Sequence, residues 1–283
     1  MPGFDQPEFW TASDGARLAL RHQAAPKRRG SVIVVHGWGD HGGLYADAAQ
    51  RFADRGLDTF ALDQRGAGLS PGPRGHIERF AQYLSDLVAL RKHVQTVAPG
   101  PQVMLGHSFG GLVVLRFLET GPRHLAGAAV LAPFLDFVSP PARWKVVMAR
   151  LLSDVLPRVG IATGLDYQRR TRDRALNTRI YDDPLCHHVM TPRAYRETTR
   201  TLPILWTEKD RIAVPLLVVL AGDDYLVSTP MAREFAGHLP GDVTVDELDG
   251  MFHDMLHEPD RERAYAVVDP WIDRVIAAAA EAA

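Results

Sequence analysis

Gly106-His107-Ser108-Phe109-Gly110-Gly111 follows the apolar run Val103 to Leu105 and precedes Leu112, Leu115, Phe117 and Leu118, whose spacing predicts a helix. A Gly-x-Ser-x-Gly set between a strand and a helix marks a turn so tight that small residues must flank the serine. Its hydroxyl then projects above the edge of the sheet. The duller reading of the same residues is a Gly-rich turn whose serine caps the helix.

Working outward, Val32 to Val35, Thr59 to Leu62, Ala128 to Leu131, Leu216 to Leu220 and Val243 to Leu248 are further short apolar or β-branched runs bounded by Gly, Asp or Pro. Most are continuously apolar, as strands buried on both faces must be. Stretches of helical spacing such as Tyr83, Leu87, Leu90 and Val94 lie between them, and strands alternating with helices predict a mostly parallel sheet. The alternation breaks between about Pro133 and Pro215, where helical patterns dominate and no strand is evident. The expected division is core over 1–132, a helical cap over 133–213, and core again over 214–283. Within the cap, Trp144, Val147, Met148, Leu151, Leu152, Val155 and Leu156 describe one apolar helix face. Such a face packs on the core, lines an apolar pocket or touches a membrane; Trp144, Met148, Leu151 and Val155 are the pocket candidates. The Ala-rich end after Ile276 reads as a fraying helix terminus.

A serine hydroxyl is a poor nucleophile at neutral pH, so it needs a base, and the base needs a group to orient it. On an elbow of this type the partners follow in the order Ser, acid, His. Asp223 and Asp224 stand at the end of the Leu216 run, and His253 follows the Val243 run in a loop before the last helix. His253 is thus the expected base and one of the two acids its partner. An oxyanion needs amide donors as well. Phe109 N–H, next to the serine, is one, and Trp38 N–H, in the loop after the Val32 run, is the expected second. His253-Asp254-Met255-Leu256-His257 lies one substitution from the zinc pattern His-Glu-x-x-His, but the Glu base and the third ligand are missing, so no metal is expected.

The segments His36-Gly37-Trp38-Gly39-Asp40-His41 with Tyr45, Asp63-Gln64-Arg65-Gly66-Ala67-Gly68-Leu69-Ser70 followed by Gly72-Pro73-Arg74-Gly75, the elbow, Asp183-Pro184-Leu185 and Gly250-Met251-Phe252-His253 with Glu258 carry a resemblance. Together they resemble the monoacylglycerol lipase and lysophospholipase-like branch of the α/β-hydrolases, a branch grouped with serine aminopeptidases. The resemblance implies a sheet of about eight strands flanked by helices, with the cap inserted after the sixth strand. It implies carboxylic ester hydrolysis through an acyl-enzyme without a cofactor, on a single-chain lipid ester held in a cap tunnel. The family's Asp-x-x-Val selects Asp224, leaving Asp223 as a turn residue. Asp40 stands where the family usually has Glu, and Gln64 where it often has His.

Composition is that expected of a soluble globular protein with a sizeable core, at 46% hydrophobic and 23% charged residues, and 32 basic against 34 acidic side chains leave no electrostatic footprint for nucleic acid. Residues 141–213 hold 14 Lys and Arg against 8 Asp and Glu. Arg169, Arg170, Arg172, Arg174 and Arg179 would attract anionic head groups or interfaces through the cap, or would simply be a solvated, locally paired face. Cys186 is the only cysteine, so no intrachain disulfide forms, and without a leader-like start the expected compartment is the cytoplasm, with peripheral membrane or micelle contact through the cap. The rival readings are a serine aminopeptidase, which needs an acidic pocket for the substrate amine, and a silent binding protein, which would lack a triad member.

Overall fold

The computed structural model describes residues 4–122, 124–138 and 143–282. In chain order its strands are β1 (Glu8–Thr11), β2 (Arg17–Gln23), β3 (Gly30–Val35), β4 (Leu57–Leu62), β5 (Gln102–His107), β6 (Gly127–Leu131), β7 (Ile161–Ala162), β8 (Val189–Met190), β9 (Leu216–Ala221) and β10 (Val243–Leu248). The α-helices are α1 (Ala46–Asp54), α2 (Ala81–Val97), α3 (Phe109–Leu118), α4 (Arg143–Val155), α5 (Arg174–Tyr181), α6 (Pro192–Glu208), α7 (Thr229–Gly237) and α8 (Glu262–Glu281).

Eight strands form one sheet in the order β1-β2-β4-β3-β5-β6-β9-β10, antiparallel at β1-β2 and β2-β4 and parallel at every other pairing. Every residue of β3, β4, β5, β6 and β9 is buried, which is why those segments read as unbroken apolar runs. Arg51 of α1 bonds Asp269 and Glu262 of α8, so these helices lie side by side over one face. α3 is apolar except for Arg116, and every other residue of it is buried, as in a helix at the centre of a layered fold. From β3 the chain passes to β4 on one side and later to β5 on the other. The carboxyl ends of β3 and β5 therefore flank a topological switch point, where such sheets open a crevice. A helical insertion, α4 to α6, follows the sixth strand and lies over that crevice. This is the α/β-hydrolase fold.

Three features depart from the expectations of the sequence. The antiparallel β1-β2 pair was not legible, because Arg17-Leu18-Ala19-Leu20-Arg21-His22-Gln23 mixes apolar and charged residues; Arg21 is nevertheless buried, donating to Phe4 O and facing Asp63. Within the cap, β7 and β8 form a ribbon too short to show any period. Finally, α8 continues past Ile276 to Glu281, about five and a half turns in all, with Trp271, Ile272, Val275 and Ile276 on its buried face.

The elbow requires glycine for a measurable reason. A Cβ on Gly110 would stand 2.0 Å from Val35 O, and one on Gly106 would stand 2.6 Å from Gly110 O. Neither neighbour is a side chain that can swing away. Gly110→Ala should therefore destabilise by about 2–3 kcal/mol through overpacking, or roughly 5–10 °C in Tm for a domain of this size. Thermal unfolding checks this; an unchanged Tm would show that β3 and α3 separate freely.

Candidate active site

Ser108 sits between β5 and α3 at φ 55° and ψ −120°, a left-handed conformation unfavourable for a residue with a Cβ. Three backbone bonds hold it there: Ser108 N donates to Leu131 O at 2.9 Å, and Ser108 O accepts from Leu112 N and Phe134 N. Its hydroxyl makes no capping bond to α3, which removes the helix-cap reading of the motif. Oγ instead faces a cavity that His253 also lines. Serine–histidine bonds at such sites are commonly long before substrate binds and tighten in the complex.

His253 Nδ1 lies 2.7 Å from Asp224 Oδ2, with the two side chains 4% and 0% exposed. Because a carboxylate accepts, Nδ1 donates, and the Nε2 lone pair is left for a proton from Ser108. The other oxygen of Asp224 accepts from Leu226 N at 2.8 Å and Val227 N at 2.9 Å. Burial would raise the pKa of this carboxyl, but His253 and the two amides outweigh it and hold it below the usual value. Asp223 is exposed, and only its backbone is engaged, donating to Met251 O. Of the two acids, it is Asp224 that His253 meets.

The amides of Trp38 and Phe109 have no partner among the described residues, and both residues line the cavity. Their rings meet edge to face at 4.9 Å. Gly37 lets the loop approach the nucleophile: a Cβ there would stand 3.4 Å from Ser108 Cβ and 3.0 Å from Asp40 Oδ2. Trp38 Nε1 donates to Val189 O in the cap, which fixes that loop from above. Below it, His36 donates from Nδ1 to Gly37 O and accepts from Gln64 N, so Gln64 fills its place in the family pattern by backbone and side-chain bonds to His36.

Several residues of the site carried no sequence signal of their role. His107, the variable residue of the elbow, receives Tyr45 OH at Nδ1 and donates from Nε2 to His253 O, and burial depresses its pKa to about 4. Arg170, from the cap, is only 5% exposed. It forks onto both oxygens of Asp40 at 2.9 Å and reaches Asp254 Oδ2 at 2.9 Å. Asp254 Oδ1 bonds His257 Nδ1 at 2.7 Å. Here the basic-face reading of the cap needs correction. Arg170 is a buried tether, Arg172 is paired with Glu258 and Asp260, and Arg169 stacks 3.3 Å over the Tyr225 ring, while Arg174 and Arg179 are exposed.

The cavity holds about 740 Å³. Apolar side chains, among them Phe134, Phe137, Leu152, Leu165, Met190 and Leu226, line it together with Ser108 and His253 and with polar residues such as Asp40, Thr163, Asp166 and Arg170. Of the four pocket candidates on α4, Trp144 and Met148 line it. Leu151 and Val155 do not; they are 63% and 74% exposed on the outer side of the helix. The apolar stripe was read as one face, but it is wide enough to be two: positions 148 and 152 border the cavity, Trp144 touches its rim while 65% exposed, and 147, 151 and 155 lie on the outer side.

Two clusters bear on metal binding. In His253-Asp254-Met255-Leu256-His257 the first histidine is engaged by Asp224 and the second by Asp254 and Leu44 O, so they do not converge on a common point. Ligand atoms of His41, Asp183 and Cys186 do lie within 4.8 Å of one another. However, His41 Nδ1 accepts from Gly43 N, so its proton is on Nε2 and is donated to Asp183 Oδ2 at 3.2 Å. That is the protonation of a hydrogen-bonded pair rather than of a ligand.

The family model described as serine aminopeptidase, S33, matches residues 26–260. A monoacylglycerol lipase of Mycolicibacterium smegmatis is 29% identical over 253 residues, 86% of this chain and 88% of that protein. An abhydrolase domain-containing protein of Dictyostelium discoideum is 29% identical over 265 residues, and there the chain spans 92% of its own length but 28% of the longer relative. Among solved structures, the monoacylglycerol lipase of Paleococcus ferrophilus superposes with a TM-score of 0.81 at 25% identity, covering 90% of this chain and 98% of that one.

Proposed function

We infer, for a chain that belongs to the serine aminopeptidase, S33, family, that its substrates are esters of a single fatty acyl chain, monoacylglycerols first among them. The chain is a serine hydrolase of carboxylic esters. The observation that carries the finer reading is the cavity: Phe134, Phe137, Leu152, Leu165, Met190 and Leu226 give it a largely apolar lining beside Ser108, His253 and the two amides, while its buried charged residues, Asp40 and Arg170, are paired with each other. At about 740 Å³ it falls in the range of pockets that enclose one small organic molecule, about 300–1,000 Å³. The likeness to two monoacylglycerol lipases supports the same reading.

In this reading His253 Nε2 removes the Ser108 proton as Oγ attacks the ester carbonyl, and the Phe109 and Trp38 amides receive the charge that moves to the carbonyl oxygen. Asp224 stabilises the imidazolium. His253 then protonates the departing alcohol, and water repeats the two steps on the acyl-serine.

An aminopeptidase would need a carboxylate free to receive the substrate ammonium. Asp40 at the cavity is forked onto Arg170, which takes up its charge. That reading would therefore have to rest on Asp166, an exposed residue at the cavity whose Oδ1 accepts from Gln168 N. The outer stripe of α4, with Val147, Leu151 and Val155, would meet a lipid surface while the inner stripe guides the acyl chain. Among the described residues no helix is long and apolar enough to cross a membrane.

Each methylene of substrate that leaves water contributes about 0.8 kcal/mol, so kcat/KM should rise with chain length until the cavity is full. Met148→Trp, on the inner stripe, should depress long-chain esters about tenfold or more relative to butyrate. Leu151→Trp should leave that ratio near wild type. The measurement is kcat/KM across a chain-length series; a uniform loss with Met148→Trp would mean that the inner stripe is only packing.

A further inference from the structure

His257 has two acceptors and no donor for its two ring nitrogens. Nδ1 lies 2.7 Å from Asp254 Oδ1 and Nε2 lies 2.7 Å from Leu44 O. A neutral imidazole carries one N–H and would set a lone pair against one of these oxygens. Only the imidazolium satisfies both.

The surroundings demand the same charge. Asp40 from the loop after β3 and Asp254 from the segment after β10 share one guanidinium, Arg170 from the cap. Two carboxylates against one cation leave a buried negative charge, which His257 neutralises. The other titratable groups packed here do not. The Tyr45 ring stands edge-on at 5.8 Å and burial holds its hydroxyl protonated, His107 is neutral, and Glu258 is turned to Arg172. Burial alone would lower the His257 pKa, but Asp254 and Leu44 O raise it above the ordinary 6.5.

We propose that His257, held as an imidazolium, is a positioning residue for ester cleavage: through Asp254 and Arg170 it fixes the cap and the oxyanion loop against the loop that carries His253. The connections are short. Asp254 is the residue after His253, its amide donates to Arg170 O at 2.8 Å, and Asp40 N turns back onto Gly37 O beside the Trp38 amide. Loss of the proton leaves Asp254 and Asp40 competing for Arg170, and three chain segments that frame Ser108 lose their common anchor. Since the folded pKa is the raised one, the stabilisation is complete below about 6.5 and is lost as pH climbs through the folded value.

The inference rests on the hydrolase reading, and wild-type turnover of p-nitrophenyl butyrate tests that reading by itself. Given turnover, kcat is followed from about pH 6 to about pH 10 for wild type and His257→Gln. Wild type should lose activity on the alkaline side, above the ordinary histidine range. His257→Gln, whose amide offers an oxygen where a donor is needed, should show kcat lowered roughly 10- to 100-fold at neutral pH. Its alkaline inflection should be gone, with the rest of the profile retained. A variant that is merely less stable, with wild-type kcat and an unchanged alkaline limb, overturns the proposal. Should His257→Gln not fold, histidine-selective 15N NMR of the wild-type protein decides: His257 must show two protonated nitrogens at pH 7 and deprotonate together with the fall in kcat. A neutral tautomer at pH 7, or a midpoint apart from the kinetic one, overturns it equally.

Discussion

Ser108→Ala is expected to lower kcat on any ester by about six orders of magnitude while leaving the melting temperature near wild type. The chemical part follows from roles that act as a unit: without Oγ there is no acyl-enzyme, and His253 and the amides are left with only the slow attack of water. The stability part follows from local structure. The hydroxyl makes no hydrogen bond among the described residues, and the bonds that hold the strained turn are made by Ser108 N and O, which alanine retains. Steady-state hydrolysis of a p-nitrophenyl ester and a thermal melt measure the two parts. Activity within tenfold of wild type would remove Ser108 from the chemistry.

Asp224→Asn should cost roughly four orders of magnitude in kcat, against little change for Asp223→Asn. The asparagine oxygen keeps the Leu226 and Val227 amides, so its NH2 is turned toward His253 Nδ1. Nδ1 then has to accept, the ring proton moves to Nε2, and the base can no longer take the Ser108 proton. Asp223 is exposed and its carboxylate has no such partner. Kinetics of the two variants side by side check the assignment, and the opposite ranking would transfer the role to Asp223.

How much of this could be read from the residues depends on how local the information is. The parallel strands were legible because each is buried along its whole length and therefore apolar without interruption. The elbow was legible because backbone atoms within 2.0 to 2.6 Å of a would-be Cβ tolerate nothing larger than glycine. The edge strand β10, read as Val243 to Leu248, was legible as well through its β-branched and aliphatic residues although it is only partly buried, whereas β1 and β2 carry polar residues whose partners lie far along the chain. The division of α4 into an inner and an outer stripe depends on what covers each side, which periodicity cannot report. Least legible was the anchor of the cap. Arg170 is one of many arginines in its segment, and its separation from Asp40 by 130 residues leaves no pattern to find. The resemblance to the lipase branch drew attention to His36 to His41 without saying what Asp40 holds.

The argument for an ester substrate over an aminopeptidase substrate draws on the same cluster, since Arg170 neutralises the buried carboxylate of Asp40, which would otherwise be available to an ammonium group. A direct comparison of substrates therefore bears on the central claim more closely than any single variant. The measurement is kcat/KM of the purified protein on monoacylglycerols of graded chain length, a lysophospholipid and an aminoacyl arylamide under one set of conditions. Serine-dependent cleavage of the glycerides, rising with chain length and lost with Ser108→Ala, with the arylamide at background, is the predicted result. Faster turnover of the arylamide than of any ester would contradict it.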